Sequence, residues 1–325
     1  MKASQHLARQ AALTMISLGC ALISGAGLAQ AEPNPPLANP VVNGAAPSVS
    51  IAAPSANINI TPRRVVFDAI KRTEAVFVFN QGTAPVTVDV SLIDNVMLPT
   101  GEIVPVDKLA ERSQADQTTA AKLKSARDLI LASPSRLTLP PGKGRTIRLR
   151  ASLPAGADSA ELRTHLAVTT VPAAESGLTA EAAATPRAGE LAFKIQSVFG
   201  ISIPLILRPA PINPVASISG MKVEMLAAPV GPTGELRRVP VLSFTLARSG
   251  AGSIFGNIEA KSTSGKSNEI IGYVRGLGVY PELDSRRVDM PLTRMPHSGE
   301  TIAVTFISDD PQLPKLRASG TMIAP

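Results

Sequence analysis

The residues that could carry catalytic or metal chemistry are few. The three histidines are His6, His165 and His297, and no two of them have the spacing of a metal-binding pair. The only cysteine is Cys20, and no Gly-x-Ser-x-Gly motif is present for a serine nucleophile. The sequence therefore predicts a protein that is not an enzyme, has no metal site and needs no cofactor.

Two glycine-containing motifs have the partial form of nucleotide-binding loops. Ser264-Gly265-Lys266-Ser267 matches the end of a phosphate-binding loop, but residue 260 is Ala where the first glycine belongs. Gly250-Ala251-Gly252 has the start of a dinucleotide-binding motif. Neither motif is followed by a predicted helix, so we interpret the first as a polar hairpin turn and the second as a turn between strands.

With catalysis and metal binding set aside, the remaining possibility is binding through the backbone of an exposed strand. Residues 191–209 are the segment that indicates such a strand. Their odd positions are apolar except for Ser197. A period of two over this length predicts an extended strand with one apolar face. Pro204 lacks an N–H and places its part of the strand at a sheet edge or a bulge. The strand is either an open edge that pairs with another protein or an interior strand that curves at Gly200.

The N-terminus predicts export. Lys2 and Arg9 precede or flank an apolar stretch too short for a comfortable membrane span, and Ala29-Gln30-Ala31 fits a cleavage site. We therefore predict a signal peptide over residues 1–31 and a periplasmic mature chain without a membrane span. A lipoprotein signal that modifies Cys20 is the alternative.

Charge and composition argue against a nucleic-acid partner. Loss of Lys2 and Arg9 leaves 30 basic and 25 acidic residues, a net charge of +5 with neutral histidines. The basic residues are scattered, Trp is absent, and aromatic residues make up only 3%, so surfaces for stacking bases are scarce.

The order of segments predicts two β domains. Residues 32–56 are rich in proline and predict a disordered linker. About seven alternating segments between 57 and 209 predict a β-sandwich, interrupted at 107–128 by a short polar helix or ordered loop. After a proline-rich hinge, residues 213–325 predict a smaller β domain without helices.

Several segments, in order, resemble the periplasmic pilus chaperones, the PapD-like family of the chaperone–usher pathway. Residues 61–68 resemble the family's first strand, with Pro62 at its bend. Residues 132–142 resemble its "P-x-R-x-x-L-x-P-G" segment, residues 153–172 its "L-P…R-E-S…I-P" segment, and residues 203–209 the end of its seventh strand. The similarity covers residues 57–209 and extends more loosely into the second domain, with the departures expected of a divergent branch.

The resemblance implies an all-β fold of two immunoglobulin-like β-sandwich domains in a boomerang arrangement. It implies a chaperone that caps pilin or fibre subunits by donating a β-strand and delivers them to an outer-membrane usher. Alternate apolar side chains of the donor strand would fill the subunit's groove. The predicted subunit-binding residues are Phe193, Ile195, Phe199, Ile201 and Ile203.

The family also anchors the subunit's C-terminal carboxylate with an Arg and a Lys. Arg64 matches the Arg position, with Arg63 as its alternative, and Pro204 stands where the Lys belongs. Proline donates no hydrogen bond, so a second basic residue such as Arg208 is required, unless Arg208 instead pairs with an acid at the domain junction. Arg163 matches a strand residue that supports the fold.

Other possibilities stay open at this point. The chain could be a secreted structural or adhesive surface protein of the same sandwich class, which the proline-rich segment favours. The long strand could be free, capped in a dimer, or packed on the proline-rich segment.

Overall fold

The structure is a computed structural model that describes residues 50–51, 57–153, 156, 159–172, 194–195, 198–230, 234–264 and 267–325. Within them the compact unit that holds all described strands spans Pro47–Pro325. None of the helices in these ranges is long and apolar enough to cross a membrane.

The first half of the described chain forms a β-sandwich because its strands alternate between buried and exposed side chains. Its strands are β1 (Ser50–Ile51), β2 (Ile58–Thr61), β3 (Val65–Asp68), β4 (Thr73–Asn80), β5 (Val86–Ile93), β6 (Asn95–Met97), β7 (Ile103–Pro105), β8 (Ile130–Ser133), β9 (Arg136–Leu139), β10 (Gly144–Ala151), β11 (Leu162–Val171), β12 (Lys194–Ile195) and β13 (Gly200–Arg208). The two sheets of the sandwich have the orders β2-β4-β10-β8 and β3-β13-β11-β5-β9. The remaining strands form two separate two-stranded sheets, β1-β12 and β6-β7.

The core of this sandwich lies between the two sheets. One sheet contributes the fully buried side chains of Val76 and Val78 in β4 and Ile147 in β10, and the other contributes those of Phe67 and Leu205. Their period-two placement puts every second side chain into the core, and each fully buried one of these contributes about 1.5–3 kcal/mol.

The first strand of the sandwich is divided between the two sheets. β2 pairs antiparallel with β4, whereas β3 pairs parallel with β13 on the opposite sheet. The break falls at Pro62–Arg64, which confirms the predicted bend at the proline. Since the chain changes sheets here, the two sheets are left apart along β2.

A helical insertion follows β7, as predicted for residues 107–128. It consists of a 3-10 helix at Val106–Glu111, the α-helix α1 (Gln114–Ala120) and a 3-10 helix at Arg127–Leu129. Ser113 caps α1 by accepting a hydrogen bond from the backbone N–H of Asp116. Leu109 packs with Val96 and Val104 in a small separate cluster, so the insertion has its own apolar support.

The second half forms another β-sandwich. Its strands are β14 (Val215–Val230), β15 (Glu235–Ser249), β16 (Ile254–Ser264), β17 (Ser267–Val279), β18 (Ser285–Pro291), β19 (Thr301–Ser308) and β20 (Arg317–Ile323). They form the sheets β14-β15-β18 and β17-β16-β19-β20 around a core that includes Phe244 and Phe306.

Neither glycine motif leads into a helix among the described residues, and Gly265–Lys266 lie outside them. Ser264 pairs with Ser267 in the β16–β17 hairpin, and residues 250–252 lie between β15 and β16. The predicted all-β fold with two β-sandwiches is confirmed, and within the described ranges the second half holds no helix. The domain boundaries stay a prediction. Residues 50–51, inside the predicted linker, form β1, and the rest of 32–56 lies outside the described residues.

Candidate functional site: an open strand edge

The outer edge of β13 carries backbone groups without a partner strand. On one side β13 pairs with β11 along Gly200–Leu207, but on the other side β3 covers only Leu205–Arg208. Gly200–Pro204 therefore has no strand on its outer side among the described residues. We call residues 199–204 the open edge.

The direction of the backbone groups follows from one hydrogen bond. The N–H of Thr170 in β11 donates to the carbonyl oxygen of Phe199 at 2.8 Å, so odd residues of β13 turn their groups toward β11. Gly200 and Ser202 consequently turn both N–H and C=O outward. Pro204 turns only its carbonyl outward, and its position confirms the prediction of a sheet edge.

The predicted donor side chains differ in how available they are. Phe199 is 40% exposed, and Ile201 is partly buried against the first core. Ile203 is only 2% exposed and belongs to that core. In the free chain Ile203 therefore has little surface to offer a subunit, and its predicted role in subunit binding stays a prediction. Phe193 and the side chain of Ile195 lie outside the described residues.

A groove lies directly beside the open edge. It has a volume of about 520 Å³ and is lined by β2 residues, Arg63, Gln81 and residues 201–203. β2 belongs to the opposite sheet, and among the described residues no strand lies between β2 and β13. The outward backbone of the open edge and a partly apolar groove therefore lie side by side.

Arg63 stands on the rim of this groove as an exposed cation. It also lines a second groove of about 250 Å³ with the stacked rings of Phe77 and Phe79, whose centroids are 6.3 Å apart. Among the described residues no hydrogen bond or ion pair engages its guanidinium. An incoming carboxylate could reach it without displacing another group.

Arg64 points the other way, into the contact between the two sandwiches. Its Nη2 lies 3.3 Å from Ser253 Oγ and 3.4 Å from Asp310 Oδ2, and its guanidinium lies 4.5 Å from the ring centroid of Phe255. The side chain is 9% exposed, and its Nε and Nη1 are buried without a hydrogen-bond partner. Burial lowers the pKa of Arg64, although the charge of Asp310 opposes this.

Arg208 is the centre of a buried ionic cluster at the same contact. Its Nε donates to Glu161 Oε2 at 2.8 Å, and its Nη2 donates to Asp310 Oδ2 at 2.7 Å. Burial by itself lowers the pKa of Arg208, but the bond to Asp310 and the charge of Glu161 outweigh it, so the pKa is raised. For Asp310, burial by itself raises the pKa of the carboxyl group, but the hydrogen bond from Arg208 outweighs this, so the pKa is lowered. Arg208 had two predicted roles, and in the structure it pairs with acidic residues at the contact between the two sandwiches.

Arg163 forms a second buried contact between the sandwiches. It pairs with Glu282 and lies 3.9 Å from the ring centroid of Tyr280. Its Nη1 is 3.3 Å from His165 Nε2, and burial together with this positive charge lowers the pKa of His165 to about 3. His165 is thus neutral at neutral pH and lies buried beside Arg163.

The acidic partners at this junction were not identified from the sequence. Glu161, Glu282 and Asp310 lie far apart along the chain, and no local pattern connects them with Arg163 or Arg208. Among the residues that the structure describes, no group of His, Cys, Asp and Glu side chains could hold a metal ion.

The geometry defines a class of protein: two β-sandwiches joined through buried ion pairs, with an open strand edge on the first. Neither a protein-family model nor a curated protein sequence matches the chain. Among solved structures, the YadV chaperone is 13% identical with a TM-score of 0.38, and the match covers 82% of this chain and 98% of that one. The E. coli chaperone DraB is 14% identical with a TM-score of 0.37, covering 83% and 97%.

A third similar structure is a chaperone in a complex. It is the CsuC–CsuE chaperone and tip subunit pre-assembly complex of Acinetobacter baumannii, at 15% identity, a TM-score of 0.39 and coverage of 82% and 97%. At these values the matches describe a likeness to pilus chaperones and carry no argument about activity.

Proposed function

We propose that this chain is a periplasmic chaperone that binds fibre subunits by adding its open edge to their incomplete sheet. The observation that supports this most is the outward backbone of Gly200 and Ser202, which has no partner strand among the described residues. Proteins normally cover or charge such edges because they pair with other chains. Strand addition is a recurring way in which an open edge binds another chain, with main-chain bonds providing affinity and alternate side chains providing specificity.

The side chains beside the edge fit the same task. Phe199 and Ile201 alternate on one side of the strand, and burying an apolar side chain of this size stabilises a complex by about 1.5–3 kcal/mol. Strand addition needs no covalent step, which agrees with the lack of recognised catalytic motifs in the sequence. Delivery of the captured subunit to an outer-membrane usher is the later step that this proposal includes.

Co-export with a fibre subunit that lacks its final strand tests the proposal. We expect a soluble one-to-one complex in the periplasmic fraction. Recovery of the chain on the cell surface, with no complex in the periplasm, would instead support the structural or adhesive surface protein.

The carboxylate anchor is the finer part of the proposal. Arg64 matches the anchor position by resemblance, but its guanidinium is mostly buried against the second sandwich. Arg63 is exposed on the groove rim. We therefore propose that Arg63 receives the subunit's C-terminal carboxylate first, while Arg64 positions the strand behind it through Asp310.

Arg63→Ala is expected to weaken capture of a subunit with a free C-terminal carboxylate by about tenfold to a hundredfold, since a hydrogen bond to a charged group is worth about 1.5–3 kcal/mol. The stability of the chain should be unchanged because Arg63 is exposed. Titration of purified protein with the subunit measures this effect, and an amidated subunit is the control on which the loss should disappear. Loss of capture in Arg64→Ala with unchanged stability, and no loss in Arg63→Ala, would return the anchor to Arg64.

A further inference from the structure

The edge strand is contacted by the chain's own N-terminal segment on both sides of the open edge. β3 pairs parallel with Leu205–Arg208, and β1 pairs parallel with β12, with Ser50 opposite Lys194 and Ile51 opposite Ile195. In the sequence β1 precedes the first sandwich, and β3 is one of its first strands. The part of the edge left open, residues 199–204, lies between these two pairings.

The pairing of β1 with β12 uses backbone groups that strand addition would also use. β12 and β1 form a two-stranded sheet separate from that of β13, and residues 196–197 lie outside the described residues. A subunit strand that pairs along this segment as far as Lys194–Ile195 meets residues that already pair with β1. Two strands cannot occupy the same edge of one strand, because each backbone N–H and C=O faces a single neighbour. β1 and an incoming strand therefore compete wherever the incoming strand is long enough.

The ladder is short enough to be displaced. It covers two residues on each strand, against about 5–6 in an ordinary strand. Only six residues separate Ile51 from the start of β2 at Ile58, so β1 stays close to the edge at a high effective concentration. A weak contact held at high local concentration would pair with Lys194–Ile195 in the free chain and give way to a longer ladder.

We propose that Ser50–Ile51 is an internal cap on the donor edge, which a fibre subunit displaces as it binds. The displacement rests on the proposed chaperone function. The pairing of Ser50–Ile51 with β12 in the free chain does not depend on a subunit. The cap leaves residues 199–204 as the place where a subunit first makes contact.

A disulfide across the ladder tests the cap directly. Ser50 and Lys194 are direct neighbours in the ladder, where strands lie about 4.8 Å apart, within the range that a disulfide spans. The chain offers a clean background because Cys20, in the predicted signal peptide, is its only cysteine. The variant Ser50→Cys/Lys194→Cys is made in the full exported chain, with Ser50→Cys alone as the matched control.

We expect the double variant to form the intramolecular disulfide on mild oxidation, as read by mass spectrometry of peptides. The oxidised form should capture a denatured fibre subunit, lacking its final strand, at least tenfold more slowly than its reduced form. The single variant should respond to oxidant and reductant alike. Failure of the disulfide to form, or equal capture by the oxidised and reduced forms, would overturn the cap.

The opposite change releases the cap. Ser50→Pro/Ile51→Pro removes the N–H groups of both β1 residues, including the one that faces β12. The uncovered edge should pair with second copies of the chain, so sedimentation velocity should show more self-association than in the wild type. This measurement needs no subunit, so it tests the cap separately from the proposed function. Unchanged self-association of the proline variant would overturn the cap. Failure of the wild-type chain to capture any fibre subunit would instead overturn the proposed function.

Discussion

Phe199→Ser is expected to weaken capture of a fibre subunit by about 10- to 150-fold. Phe199 lies at the start of the open edge and is 40% exposed in the free chain, so it is free to enter a subunit's groove. Burying an apolar side chain of this kind is worth about 1.5–3 kcal/mol, and 1.4 kcal/mol corresponds to a factor of ten in affinity. Ile201→Ser should weaken capture less, because Ile201 already packs partly on its own sandwich. Affinity measured by titration with the purified subunit gives both values.

Val198→Ser is the matched control for this effect. Val198 is 56% exposed and precedes Phe199, so its side chain points to the opposite face of an extended segment. Equal losses for Val198→Ser and Phe199→Ser would contradict the assignment of one donor face. Ile203→Ser should not be used to measure binding, since burying a hydroxyl in the core reduces the stability of the chaperone itself.

Arg208→Leu is expected to destabilise the chain by about 3–5 kcal/mol, the typical cost of removing one partner from a buried ion pair. Glu161 and Asp310 would be left as buried carboxylates without their common cation, and the side chains of all three residues are at most 1% exposed. The urea midpoint measures the loss, with the two sandwiches followed separately because two domains need not unfold together.

The surface pair of Arg287 with Asp289 is the control for the buried cluster. Arg287 is 57% exposed, and removing an exposed pair costs about 0–1 kcal/mol. Similar midpoints for Arg208→Leu and Arg287→Ala would contradict a structural role for the cluster. Arg64 also pairs with Asp310 and is mostly buried. Replacing Arg64, Arg208, Glu161 and Asp310 together by apolar residues of similar size should therefore recover much of the loss, because no unpaired charge of the cluster then remains.

The sandwiches and the sheet edge could be predicted because their physical signals are local. Period-two alternation over 86–93 specifies a strand with one buried face. The missing N–H of Pro204 places this residue where no partner strand needs a donor. The turn at 264–267 follows from polar residues between two alternating segments. Each of these features depends on neighbours within a few positions.

The remaining features depend on contacts between distant residues. Ile201 and Ile203 have the same type and the same face, yet only Ile203 lies deep in the sandwich, because burial changes along the strand as the sheets separate at β2. The resemblance of Arg64 to a family position does not predict that Arg64 pairs with Asp310, which lies 246 positions further along the chain. The pairing of Ser50–Ile51 with β12 has no signal in a segment whose composition is dominated by proline and alanine.

The central claim is that a subunit pairs with the outward backbone of the open edge. Amide hydrogen exchange of Gly200 and Ser202, read by NMR in the free chain and in the complex, tests it most directly. Both N–H groups should exchange quickly in the free chain and be protected in the complex, while the N–H of Ile203, which faces β11, should be protected in both states. Rapid exchange at Gly200 and Ser202 in a saturated complex would contradict strand addition at this edge.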